Sequence, residues 1–162
     1  MKSTDSQIIL DSIRRVVQAL RLSSRAAEKN LNLSGAQLFV MEKLRVGGPL
    51  SINELAQKTL THQSSVSVVI TRLVEKGLVH RQPSKSDGRK LELILAKEGH
   101  ALLRKNPKTV QELLVKAIEE LSFRKRREFA STFLSILNTS GLNSYEPELF
   151  FEEPMKNHEK SR

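Results

Sequence analysis

The sequence predicts a mainly α-helical protein that carries a single β-ribbon, on three observations. Apolar residues recur at helical spacing on both sides of residues 78–95. That segment itself holds two short β-prone runs around a loop rich in Pro, Ser, Asp and Gly. Helix-entry signatures punctuate the rest. At 162 residues the chain can form one domain with a sizeable core, or one domain plus an oligomerisation element.

Thr4-Asp5-Ser6-Gln7 has capping-box spacing, a hydroxyl followed three residues on by Gln. Ile9, Ile13, Val16, Val17 and Leu20 then follow at helical spacing, so the first helix is expected to reach about Asn30. Ser34-Gly35-Ala36-Gln37 repeats the signature and opens a second helix through Leu38, Met41 and Leu44, which Gly47-Gly48-Pro49 ends. Leu50-Ser51-Ile52 reads as an extended link. Ser51 or Asn53 caps a two-turn helix carrying Leu55 and Ala56. A turn around Thr59–Thr61 leads into a helix over Gln63–Lys76, with Val66, Val69, Ile70, Leu73 and Val74 on one face. Gly77 ends it where a left-handed residue is cheap.

Leu78–Gln82 and Leu91–Leu95 are the strands of a hairpin, with Asp87-Gly88 as its turn signal. Lys97–Lys105 is helical again. Asn106 as N-cap with Pro107 at the first helical position predicts a restart there, ahead of a stripe of Val110, Leu113, Leu114, Ala117, Ile118 and Leu121. Ser122 opens a last helix, Phe123–Leu137. Residues 138–162 read as irregular, although Leu149-Phe150-Phe151 is apolar enough to dock. The organisation predicted is an N-terminal helix over 1–33, a central unit over 34–96, C-terminal helices over 97–140 and a tail over 141–162.

Lysine and arginine number 27 against 18 acids, a formal charge of +9, which favours a polyanionic partner such as nucleic acid or an anionic membrane surface. Cysteine is absent, which removes disulfides, thiol redox sensing, cysteine nucleophiles and thiolate zinc sites together. No secretory signal is visible at the N-terminus, and no apolar run approaches the roughly 20 residues that span a bilayer. A cytoplasmic protein with no membrane partner is expected. His62, His80, His100 and His158 lack ligand spacing, so no metal is expected. With no nucleophile elbow, phosphate loop or dinucleotide fingerprint, neither enzymatic activity nor a cofactor is expected.

The helix Gln63–Lys76 turns Ser64, Ser67, Val68, Thr71, Arg72 and Glu75 away from its apolar face, with Ser65 flanking. Small hydroxyls let a backbone approach the floor of a major groove. Ser and Thr can bond phosphates or bases, and Val68 and the Thr71 methyl can meet a thymine methyl. Arg72 suits a phosphate or a guanine edge; Gln63 suits an adenine edge or a phosphate at the helix N-terminus. Helix, tight turn and outward-polar second helix is the helix-turn-helix order. In the hairpin, Lys76, Arg81, Lys85, Arg89 and Lys90 are opposed only by Asp87, and an arginine at a ribbon tip can enter a narrow minor groove. Asp87 is expected to hold the Arg89 guanidinium or to cap the turn. The basic run Arg124–Arg127 spreads around a helix and reads as a solvated or dimer-rim face.

The motifs Ser51-Ile52-Asn53-Glu54-Leu55-Ala56, Gln63-Ser64-Ser65-Val66-Ser67, Arg72–Arg81 and Asp87-Gly88-Arg89 through Gly99, in this order, resemble the MarR (multiple antibiotic resistance regulator) family. The resemblance covers roughly Leu31 to Leu137. It implies an α+β winged helix: a winged helix-turn-helix domain with a helical dimerisation domain built from the N- and C-terminal helices. It further implies a homodimer on a roughly palindromic operator, repressing transcription in response to a small-molecule effector whose identity it leaves open. Gln63, Ser64, Ser65, Ser67, Val68, Thr71 and Arg72 match groove-reading positions. Arg81 matches the wing base, and Lys85, Asp87 and Arg89 the wing. The implied dimer contacts are Ile9, Ile13, Val16, Leu114, Ile118, Phe129 and Phe133. Ala96 departs from the pattern, because many members have a capping threonine there. The alternatives are a non-sequence-specific architectural DNA-binding protein and a winged-helix protein-interaction module.

Overall fold

The computed structural model describes residues 4–104 and 109–145 together with Leu149. Four helices come first: α1 (Asp5–Leu31), α2 (Gly35–Gly47), α3 (Ile52–Thr59) and α4 (Gln63–Glu75). An antiparallel ribbon follows, β1 (Val79–Pro83) and β2 (Leu91–Leu95), then α5 (Lys97–Leu103), α6 (Val110–Glu119), α7 (Phe123–Thr139) and a short 3-10 turn at Leu142–Ser144. The architecture is a mainly helical winged helix.

Local chemistry sets the helix boundaries. Thr4/Gln7, Ser34/Gln37 and Ser51/Glu54 form reciprocal capping boxes at the entries of α1, α2 and α3. Each satisfies two backbone N–H groups that a helix start leaves orphaned. Ser51, not Asn53, is therefore the cap of α3. The helix after α5 restarts later than Asn106-Pro107 suggests: α6 begins at Val110, with Thr109 as N-cap boxed by Glu112. Asn106 itself lies outside the described residues. Ala96 at the entry of α5 makes no side-chain cap, in keeping with its methyl side chain. Gly77 takes φ +69 after α4, as the helix exit requires, whereas Gly88 is not among the positive-φ glycines. The wing turn closes instead through Lys90 N–H donating to the Asp87 carbonyl at 2.8 Å.

The core is centred on α2, which packs against α1, α3, α4, α5 and β2. Phe39, Val40 and Met41 of α2 meet Leu55 of α3 and Val66, Val69, Ile70 and Leu73 of α4, all of them buried. The link after α2 contributes more than length. Leu50 N–H donates to the Leu93 carbonyl at 3.1 Å and Leu93 N–H returns a bond of 2.7 Å, so one residue serves as a third strand beside β2. β1 and β2 pair in the register Val79↔Leu95 to Pro83↔Leu91. Leu149 is buried in the same core, while Phe150 and Phe151 fall outside the described residues.

The helices at the two ends present a different picture. Ile8, Ile9, Leu10, Val16, Val17 and Leu22 of α1 are exposed, as are Leu113 and Ile118 of α6. On α7 no residue is buried; Phe129 is 57% exposed and stacks only on Phe133, with ring centroids 5.8 Å apart. The apolar stripes of these helices are thus largely bare in a single chain.

Gly99 has a steric reason. A Cβ on Gly99 would lie 2.5 Å from the Leu78 carbonyl oxygen and 3.1 Å from Leu95 Cδ2, so α5 can approach the ribbon only without a side chain there. Gly99→Ala is expected to destabilise the fold by about 2 kcal/mol through overpacking, read as a lowered urea midpoint with unchanged m-value. Gly88→Ala, in open space, serves as the control.

Candidate nucleic-acid interface

The rotational setting of α4 comes from its buried side. With Val66, Val69, Ile70 and Leu73 inside, Gln63 and Ser64 are exposed in the first turn, and Ser65, Ser67, Val68, Thr71 and Arg72 are half-buried along the opposite side. His62, at the N-cap position, makes no side-chain cap. The entry of α4 thus lacks the side-chain cap that α1, α2 and α3 have. The hydroxyl of Thr71 is already committed, donating to the Ser67 carbonyl at 2.9 Å. Its methyl group and oxygen lone pairs are what remain for a ligand.

Three residues separate α4 from β1, and the two elements pack together, which brings the wing beside the outward side of α4. Arg81 and Lys85 are exposed. Arg89 is held as its neighbourhood in sequence suggests: Asp87 Oδ1 accepts from both the Arg89 backbone N–H at 3.2 Å and its Nε at 3.3 Å. The side chain of Arg89 is nevertheless 93% exposed, so its guanidinium is oriented without being covered. Asp87 both caps the turn and holds the arginine.

Two features of this region leave no local pattern in the sequence. Ser84 is buried at the wing base, where its Oγ donates to Glu92 Oε1 at 2.6 Å and accepts from Ser86 N–H at 3.3 Å. That network stiffens the ribbon where it leaves the core. Lys76, counted with the ribbon's cations in the sequence, instead turns its ammonium to the Asn32 carbonyl and Gln37 Oε1. Its ammonium is thus held by the chain's own acceptors at the surface. The basic run behaves as a surface should, with Arg124 Nε paired to Glu128 at 3.0 Å.

Elsewhere, a groove of roughly 450 Å³ runs along α1, with Ile13, Val17 and Leu22 beside Arg14, Arg21 and Arg25. No group of histidine and carboxylate side chains among the described residues is placed to hold a metal ion. Among the same residues, no helix is long and apolar enough to cross a membrane.

A two-helix reader joined to an arginine-tipped ribbon defines a winged helix-turn-helix module of the DNA-binding, transcription-regulating class. Residues 33–91 match the model of the MarR family. The chain is 30% identical to the HTH-type transcriptional repressor MdtR of Bacillus subtilis over 102 residues, covering 61% of this chain and 65% of MdtR, just under two thirds of that relative. It is 29% identical to the HTH-type transcriptional regulator FarR of Neisseria gonorrhoeae, over 67% of this chain and 74% of FarR. In fold it is similar to the crystal structure of a mutant MarR from E. coli complexed with operator DNA. That match has a TM-score of 0.55 and 21% identity, and covers 85% of this chain and 99% of the other. The match to the MarR family thus falls on residues 33–91, and the relatives similar over a longer stretch are named as HTH-type transcriptional regulators.

Glu54 carries a pH signature. The Ser51 backbone N–H first, then the Ser51 hydroxyl, holds its carboxyl below the ordinary value of 4.5, with Lys58 and Lys90 adding attraction and slight burial opposing. A carboxylate whose folded pKa is depressed contributes stability above its unfolded value, and that stability is lost as pH falls through the folded one. Glu54→Gln is therefore expected to flatten the fall in thermal midpoint below about pH 4.5. Parallel acid profiles of the two proteins would show that the cap carries no such linkage.

Proposed function

We propose that this chain is a sequence-specific, double-stranded DNA-binding transcriptional repressor. It acts as a homodimer on a roughly palindromic operator and is released or retuned by a small effector. The observation that supports this best is the continuity of two surfaces: the small, polar outward side of α4 and the wing that presents Arg89 beside it. In this reading Gln63, Ser64, Ser65, Ser67, Val68, Thr71 and Arg72 face a major groove. Arg81 and Lys85 meet the backbone, and Arg89 enters the flanking minor groove. Residues 34–96 form the reading head, and α1, α6 and α7 bring two heads together.

The bare apolar sides of those three helices support the dimer, with Ile9, Ile13, Val16, Leu114, Ile118, Phe129 and Phe133 as its contacts. Repression is blockage: a dimer seated on a promoter excludes polymerase. An effector acts only if it binds one separation of the two heads better than another.

Selection of binding sites from random duplex, with the oligomer measured by ultracentrifugation, tests the whole reading. An inverted repeat bound by two copies is the expected result. Enrichment of no motif would favour an architectural binder, and no retention of duplex at all would favour a protein-interaction module.

Arg89→Ala is expected to weaken duplex binding and reduce the slope of log K against log salt by about one unit. An unchanged slope would remove Arg89 from the nucleic-acid contact. Because the Thr71 proton is committed to Ser67, Thr71→Val should keep the selected motif, whereas Thr71→Ala should relax one base position by about 1 kcal/mol. Competition binding against single-position variants of the site distinguishes the two.

A further inference from the structure

Lys76 lies just past the last residue of α4, yet both acceptors of its ammonium belong to another part of the chain. Nζ donates to the Asn32 carbonyl at 2.6 Å and to Gln37 Oε1 at 3.0 Å, partners 44 and 39 residues away in sequence. Asn32 is the left-handed C-cap of α1, so its carbonyl lies at the negative end of that helix, where a cation is favoured. Gln37 is buried, and the same Oε1 accepts from Ser34 N–H at 3.3 Å to close the capping box of α2. One ammonium therefore ties the exit of the reading helix to the exit of α1 and the entry of α2. The elbow it spans, residues 32–34, is the short link between α1 and the reading head.

We propose that Lys76 is a positioning residue: a brace that holds α4 at a set angle to α1. Resting on the dimer reading above, it thereby sets the distance between the two reading heads. The physical reason is directional. Two charge-assisted bonds to acceptors on either side of one elbow resist bending there, because opening the elbow must stretch at least one of them. Both acceptors belong to the protein's own helix ends, so the brace works whether or not DNA is present.

The absence of cysteine makes the angle measurable. Spin labels at Gln18→Cys on α1 and Ser64→Cys on α4, in chains diluted with unlabelled protein, report the distance between these helices. Lys76→Met is expected to broaden the distance distribution roughly twofold, while Lys76→Arg keeps it narrow, since only the latter can still donate charged bonds. An unbroadened distribution in Lys76→Met overturns the brace. Gln37→Glu retains the capping acceptor and places a carboxylate against the ammonium. It should leave the distribution as narrow as, or narrower than, the parent's, and a broader one counts against the proposal.

The duplex arm uses the selected site and the same site with one base pair inserted between its halves. The parent should lose roughly tenfold in affinity on insertion, and Lys76→Met should bind both spacings within about twofold with an unchanged salt slope. A slope reduced by one unit with spacing discrimination intact would make Lys76 a phosphate contact and overturn the brace. If the parent binds no duplex, the proposed function fails, and the labels still decide whether Lys76 braces the elbow.

Discussion

Val66, Val69, Ile70 and Leu73 have no solvent-accessible surface, and together they set the rotation of α4 about its own axis. Full burial of one such side chain is worth about 1.5–3 kcal/mol, an upper estimate because the unfolded chain already buries part of it. Turning the helix by one residue, about 100°, would expose several of them at once. No contact on the polar side could offset that. The outward residues thus hold their direction because the inward ones hold theirs. α2 completes the arrangement. Because it touches α1, α3, α4, α5 and β2, it makes the head one body instead of a string of short helices.

Around that body the chain is punctuated by side chains that serve two purposes. Gln37 closes the capping box of α2 and receives Lys76; Glu54 closes that of α3 and sits within the field of Lys58 and Lys90. Economy of this kind ties helix entries to charged groups elsewhere in the chain. α5, like α4, has no such side chain at its entry. With Ala96 at its entry and no side-chain cap, α5 is held by the Ala96 N–H bond to the Leu78 carbonyl at 2.9 Å and by the close approach at Gly99.

Much of this is legible in the chain itself, for a physical reason. Capping boxes, glycine exits and apolar periodicity are local signals, and they place α1 to α4, α7 and the ribbon to within a residue or two. Where local signals compete, reading them is harder: Asn106-Pro107 is the louder signature, but Thr109 and Glu112 form the box that starts α6. Long-range partners leave no period at all. The third-strand role of Leu50 and the bond from Lys76 to Asn32 each depend on a residue more than forty positions along the chain, and the Ser84–Glu92 bond on the register of the ribbon. A sum of charges over the ribbon counts Lys76 with Arg89, although the Lys76 ammonium is bonded to Asn32 and Gln37 and the Arg89 guanidinium is presented at the wing tip. Hydroxyls mislead in the same way, since Thr71 looks like a donor and its proton is bonded to its own helix.

The uncovered aromatic side of α7 also has a bearing on dosage. A lone chain carries Phe123, Phe129 and Leu134 into water alongside Ile8, Ile9 and Leu10, a surface that costs solubility for as long as it stays single. Where a second copy covers these faces, folding and pairing become one equilibrium, and the folded fraction rises with the amount of protein present. A cell that made too little of it would hold fewer assembled regulators than proportion predicts, because scarce chains spend more of their time unpaired and open to proteolysis. The response to synthesis rate would then be steeper than linear before any ligand or operator is involved.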